Sequence, residues 1–181
     1  TILRRLGRDS LDVLMLHWPV EGENLYRSLR SLEKLSAGGK AKEIGVSNFP
    51  LSLLSSVAAD FDIKYHERPL SLLWAKDWEE ERLLGLRTLA YAPLGMGLLS
   101  GKYRSADDIS DERKMIKALS SPSFSSLADY LSGPEEALSW VYGERPYGVI
   151  SGFSSENDLT ILDSIEAIPD ERKSKLMDLS R

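Results

Sequence analysis

These 181 residues contain no cysteine. Disulfides, thiolate nucleophiles and Cys-ligated metals are therefore excluded, and the composition fits a reducing cytoplasm. Histidine is scarce, with His17 and His66 the only two. They lie far apart and without a paired carboxylate pattern, so no metal site is expected. No apolar run approaches the ~20 residues of a membrane span. There is no basic block and the formal net charge is −5, so neither nucleic acid nor a membrane is expected as a partner. Thr1 to Arg8 is basic but lacks the apolar core of a signal peptide. It reads as the middle of a helix without an initiator Met, so the chain is expected to be part of something longer.

The chain does have a strand–helix rhythm. Leu11–Leu16 is a nearly continuous apolar run, as in a parallel strand covered on both faces, and it stops on His17, Trp18 and Pro19. Leu25, Leu29, Leu32 and Leu35 then recur at helical spacing, with Asn24 as a candidate N-cap and Gly38-Gly39-Lys40 as a stop. Ile44–Ser47 is a second strand, and Pro50 opens a helix with Leu51, Leu53, Leu54 and Val57 on its apolar face. Phe61–Tyr65 is a third strand, Asp77–Arg87 a charged helix, and Thr88–Ala92 a fourth strand. Ser105–Ser132 is a polar excursion with short helices expected at Asp111–Leu119 and Ser125–Leu131. A helix from Pro134 through Trp140, a strand at Tyr147–Ser151, and helices at Glu156–Ile168 and Asp170–Ser180 complete the chain. Right-handed β-α-β connections make such a series a parallel sheet, with chemistry at the carboxyl ends of the strands. Five units cannot close an eight-stranded barrel, so the series is either an open doubly wound sheet or the later part of a barrel.

Five stretches, taken in order, resemble the carboxy-terminal part of the aldo-keto reductase family. They are Leu3–Asp9 leading into Leu11-Asp12 and Leu16-His17-Trp18-Pro19; Gly39–Phe49 (Gly-Lys-Ala-Lys-Glu-Ile-Gly-Val-Ser-Asn-Phe); Pro69–Leu73; Ala90–Gly95 through Gly97–Tyr103; and Val149–Gly152. The resemblance covers nearly the whole chain. It implies an α/β fold that is a partial (β/α)8 TIM barrel of about five parallel strand–helix units, strands four to eight, with the amino-terminal strands missing. Residues 1–181 would then form a single domain.

The resemblance also implies roles. His17, at a strand end, can donate a hydrogen bond to a carbonyl oxygen and orient it; a histidine packed beside Trp18 is the competing reading. In the family this histidine joins an aspartate, a tyrosine and a lysine, and those three would lie before Thr1, leaving one tetrad member of four here. Ser47 and Asn48 would hold the nicotinamide carboxamide through complementary donors and acceptors, or simply cap the next helix. A strand-six glutamine would complete that clamp, and Lys64 stands at the expected position. Tyr91 would stack on the nicotinamide, or pack in the core. Pro93, Leu94, Gly95, Gly97, Leu99 and Lys102 would form a pyrophosphate loop completed by Tyr103. Gly152, Ser154 and Ser155 would receive a phosphate at a helix N-terminus. No cation grips an NADP 2′-phosphate there, because Phe153 and Ser154 follow Gly152 and the expected Glu-Asn pair falls near Ile161 and Leu162.

The function implied is part of an NAD(P)H-dependent oxidoreductase that reduces small-molecule aldehydes or ketones by hydride transfer, incomplete in this chain. NADP(H) is the expected cofactor and NAD(H) the alternative. The competing reading is a catalytically inactive relative with a cofactor-sensing, regulatory or structural role. Unpaired barrel edges suggest either a missing segment or self-association.

Overall fold

The computed structural model describes residues 2–20, 22–103, 108, 122–153 and 155–180. Five strands pair in chain order: β1 (Leu11–Leu16), β2 (Ala41–Ser47), β3 (Ile63–Pro69), β4 (Arg87–Tyr91) and β5 (Gly148–Ile150). Neighbours in sequence are thus neighbours in space, which is the outcome expected of short right-handed β-α-β connections. The chain falls into two compact units, Thr1–Arg68 with Asp77–Leu89, and Pro69–Lys76 with Ala90–Arg181.

The first unit contains β1 to β3, the start of β4, and four helices: α1 (Ile2–Leu6), α2 (Glu23–Ala37), α3 (Leu51–Asp60) and α4 (Trp78–Arg82). Leu25, Leu29 and Leu32, spaced by four and three, form the buried stripe of α2. Gly38 ends the helix, its N–H donating to Lys34 O at 3.0 Å. β1 and β2 are parallel and in register from Leu11↔Ala41 to Leu16↔Val46. Their Leu14, Leu16, Ile44 and Val46 pack into one cluster with the α2 leucines and with Leu54 and Val57 of α3. Each fully buried leucine in such a cluster contributes about 1.5–3 kcal/mol relative to exposure.

The second unit is built around α6 (Pro134–Gly143), on which Ala137, Leu138, Trp140 and Val141 are all buried. α5 (Pro122–Tyr130) contributes Phe124 and Ala128 to a cluster with Leu98, flanked by Leu73 and Tyr103. α8 (Asp170–Leu179) buries Leu176. Arg172 of α8 clamps Glu136 of α6 with two hydrogen bonds, 2.6 and 2.8 Å, donates to Tyr130 O at 2.9 Å, and stacks its guanidinium 3.9 Å over the Tyr130 ring.

Several boundaries differ from those expected. The third strand begins at Ile63 rather than Phe61, which caps α3, and it continues through His66, Glu67 and Arg68 to Pro69. An apolar pattern does not register these three polar residues, yet His66 and Arg68 are tolerated because both reach one buried carboxylate, Glu81. The charged helix expected over Asp77–Arg87 is only α4; Leu83, Leu84 and Gly85 close it with tight turns. α2 starts at Glu23 with Gly22, not Asn24, at its N-cap. The expected Glu156–Ile168 helix breaks into α7 (Glu156–Leu159), a 3₁₀ segment at Thr160–Ser164 and extended chain from Ile165. The helix expected at Asp111–Leu119 lies outside the described residues.

Candidate functional site

In the first unit the carboxyl ends of β1, β2 and β3 bring polar residues together. Side chains alternate across a strand. Leu14, Leu16, Ile44 and Val46 face the helices, so Met15, Gly45 and Ser47 face the other way. Space at Gly45 confirms the shared face: a Cβ there would lie 2.8 Å from Tyr65 Cβ and 3.2 Å from Met15 Cε. The strand pairing matches Gly45 with Tyr65 and Ser47 with Glu67. Glu67 therefore shares the face of Tyr65 and Ser47, while its neighbours His66 and Arg68 point to Glu81 of α4.

Asn48 leaves β2 with φ 62°, a left-handed conformation that asparagine tolerates better than most side chains. Its N–H donates to Glu67 O at 2.9 Å. Its Nδ2 donates to His17 O and to Ser47 Oγ, both at 3.0 Å. One residue thus ties three strand ends. Ser47 is 2 % exposed; its Oγ accepts from Asn48, which leaves the hydroxyl proton to be donated elsewhere. His17 is exposed, its ring stacked on Trp18 with centroids 6.0 Å apart.

Lys64, expected at the clamp position, is not at this end. It lies near the start of β3, exposed and ion-paired with Asp62. Because the strand runs on to Pro69, the residue beside Ser47 is Glu67. Sequence reasoning missed Glu67 for the same reason that it ended the strand too early.

In the second unit the predicted residues divide. Pro93, Leu94, Gly97, Lys102 and Gly152 line a cavity of about 470 Å³, within the usual range of ligand pockets. Gly95 and Leu99 are structural instead. Gly95 has φ 57° and a Cβ there would come 2.9 Å from Leu73 Cδ1, while Leu99 is buried. Tyr91 is half-buried at the end of β4, its carbonyl accepting from Leu70 N–H at 3.1 Å. The N–H groups of Gly95, Gly97, Leu98, Leu99 and Ser100 bond to carbonyls within the turn, so this loop offers fewer free donors to a phosphate than its glycines suggest. Ser155 N–H donates to Asp158 Oδ2 at 3.1 Å, ahead of a helix only four residues long. Ser154 lies outside the described residues.

The cavity also has walls that sequence reasoning did not assign: Ser100, Ser151 and Asp158. Ser151 Oγ is buried and has no hydrogen-bond partner among the described residues. A buried hydroxyl without a partner is costly unless a ligand or water satisfies it. Ser151 directly follows β5, so its strand-end position was the available signal. Lys102 and Asp158 are the charged residues among those lining the cavity, and Lys102 is exposed at its edge. The cavity thus presents one cation, one carboxylate and a few hydroxyls among largely apolar walls. Among the described residues no cluster of His, Asp or Glu could hold a metal, and no helix is long and apolar enough to cross a membrane.

A parallel sheet with helical connections and polar groups at its carboxyl ends defines a protein of the α/β class. Comparison with solved structures agrees. The aldo-keto reductase AKR11C1 from Bacillus halodurans superimposes with a TM-score of 0.78 at 18% identity, covering 99% of this chain and 64% of that one. The glycerol dehydrogenase AKR11B4 from Gluconobacter oxydans gives a TM-score of 0.80 at 23% identity, covering 98% and 60%. The fold is that of five consecutive strand–helix units of a (β/α)8 barrel. The aldo/keto reductase family profile matches residues 1–174, and the chain belongs to that family. Aldo-keto reductase str7 of Strobilurus tenacellus is 29% identical over 176 residues, covering 83% of this chain and 51% of that protein. A glyoxal reductase of Bacillus subtilis is 36% identical over 105 residues, covering 54% and 36%. The chain therefore spans about half the length of str7, and less of the glyoxal reductase.

Proposed function

We propose that this chain carries the cofactor-holding and carbonyl-orienting elements of an NAD(P)H-dependent reductase of aldehydes or ketones. The observation that supports this most is the corner made by His17, Ser47 and Asn48, where one asparagine bonds to both of the other residues. In this reading the Ser47 hydroxyl and the Asn48 carboxamide hold the nicotinamide carboxamide. Lys102 and the hydroxyls of Ser100 and Ser151 receive phosphate and ribose oxygens in the second unit's cavity. The bound dinucleotide supplies the hydride. His17 donates a hydrogen bond to the substrate carbonyl oxygen, fixing its orientation and stabilising charge that develops there. The cytoplasm is the compartment that suits a cysteine-free chain, and NADP(H) is the expected form of the cofactor with NAD(H) as the alternative.

Binding without turnover is the second reading. It is favoured by the adenine end, where Ile161 and Leu162 stand at the expected Glu-Asn pair. Titration with NADPH and NADH, followed by quenching of tryptophan emission, tests the common part of both readings. Saturable quenching is expected, weakened by Asn48→Ala. No binding at millimolar cofactor would reject both. Consumption of NADPH with small aldehydes then separates the reductase from the silent binder.

A further inference from the structure

Glu67 is the residue that the Ser47–Asn48 corner leaves unexplained. It is half-buried, pairs in register with Ser47, and shares that residue's face. Its main-chain oxygen is used by Asn48 N–H. Its carboxylate makes no hydrogen bond or ion pair among the described residues. The other carboxylates set on these strands are matched: Glu43 holds Arg87 at 2.7 and 2.8 Å, and Asp12 holds Lys42 at 2.6 Å. A partly desolvated anion between a buried serine and a strand-end asparagine is suited to a cationic ligand or to one that presents N–H groups.

We propose that Glu67 sets the preference of this site between the two redox forms of the nicotinamide, favouring the oxidised, cationic ring over the neutral reduced one. This rests on the placing of the nicotinamide beside Ser47 proposed above. The carboxamide end presents a carbonyl acceptor and an NH₂ donor. Ser47 O–H can serve the carbonyl, and Glu67, an acceptor only, can serve the NH₂. That hydrogen bond is available to both redox forms and discriminates little. The charge does discriminate: the oxidised ring carries one positive charge and the reduced ring none. Across a partly solvated corner, one carboxylate shifts the relative affinity of the two forms by roughly three- to tenfold. The consequence is tighter retention of the oxidised product in the direction of reduction.

The test measures dissociation constants for the oxidised and reduced forms of one nucleotide by calorimetry, on the wild-type protein, Glu67→Gln and Glu67→Asp. Glu67→Gln keeps size and hydrogen bonding but removes the charge. It is expected to move the ratio of the two constants toward the reduced form by roughly three- to tenfold at low salt, and less at high salt. Glu67→Asp is expected to keep most of the wild-type ratio. A merely structural residue would weaken both forms together, and an unchanged ratio in a Glu67→Gln protein of wild-type thermal stability overturns the proposal. If the wild type binds neither form, the nicotinamide reading itself has failed and this proposal falls with it. If it binds both and the ratio does not respond, the proposal alone has failed.

Discussion

His66 Nδ1 stands 2.7 Å from Glu81 Oε1, and the two side chains are 1 % and 2 % exposed. Arg68 holds the other carboxylate oxygen at 2.6 Å, and Thr88 Oγ1 donates to Oε1 at 3.3 Å. One residue of a short helix thereby satisfies two residues on the same face of β3 and one of β4. Burial pushes the Glu81 carboxyl up, but the hydrogen bond and charge of His66, and then those of Arg68, outweigh it and hold the group below its ordinary value.

Removing that carboxylate leaves a buried histidine and a half-buried arginine without their shared anion. Glu81→Leu is expected to cost about 3–5 kcal/mol, the usual range for breaking a buried pair from one side. Urea unfolding measures it. A loss below about 1 kcal/mol would show that the network is replaceable.

Acid sensitivity has a second source in the second unit. The hydrogen bonds from Arg172 hold Glu136 well down, from 4.5 to about 2, against the opposing effect of burial, with Ser132 adding two more. A carboxylate whose folded pKa is depressed stabilises fully above its unfolded value and loses that contribution as pH falls through the folded one. The Glu136–Arg172 pair is therefore expected to lose its stabilisation between about pH 4.5 and about pH 2. Glu136→Gln should be less stable than wild type at pH 7, and the two should converge toward pH 2. Circular dichroism against pH, with and without urea, reads this directly; parallel acid limbs would contradict it.

Gly45 and Gly152 make a matched contrast. A methyl at Gly45 would meet Tyr65 Cβ at 2.8 Å and Tyr65 O at 2.9 Å, atoms of a paired strand that cannot move aside. Gly45→Ala should cost about 1–3 kcal/mol as overpacking, and should weaken cofactor binding by displacing Ser47 two residues on. At Gly152 a Cβ meets nothing within 4 Å. Gly152→Ala should change stability by less than about 0.5 kcal/mol. Thermal melting of both variants checks the pair.

Lys102 is the cation on the rim of the 470 Å³ cavity. Lys102→Gln is expected to weaken dinucleotide binding about three- to tenfold at low salt and to flatten its salt dependence, since an exposed charge acts through a screened field. Equal affinity in both proteins would remove the phosphates from this cavity.

Much of the fold was legible in the chain itself. Leu25, Leu29 and Leu32 announce α2 by spacing, and the apolar runs at Leu11–Leu16 and Ile44–Val46 announce parallel strands, of which β2 is buried and β1, at the sheet edge, only half-buried. Packing against the shared core forces these patterns into the sequence, so they can be read locally. The corner of His17, Ser47 and Asn48 was legible for a related reason: strand ends are where side chains stop being buried, and the change from apolar to polar marks them.

β3 was not legible in the same way. Its second half, His66-Glu67-Arg68, is polar by sequence and extended by structure, because the cost of burying it is offset by Glu81, which lies 15 residues from His66 in the chain. Periodicity carries no information about a partner that distant. That misreading placed Lys64 where Glu67 stands. Likewise Ser151 looks like any serine until the cavity around its unpartnered hydroxyl is seen. The sequence alone determined the class of fold, the family and the strand-end residues, because hydrophobic pattern and short motifs are local. Tertiary structure decided which residue stands beside Ser47, which glycines face a cavity and which only fill space, because register and cavity walls arise from segments far apart in the chain.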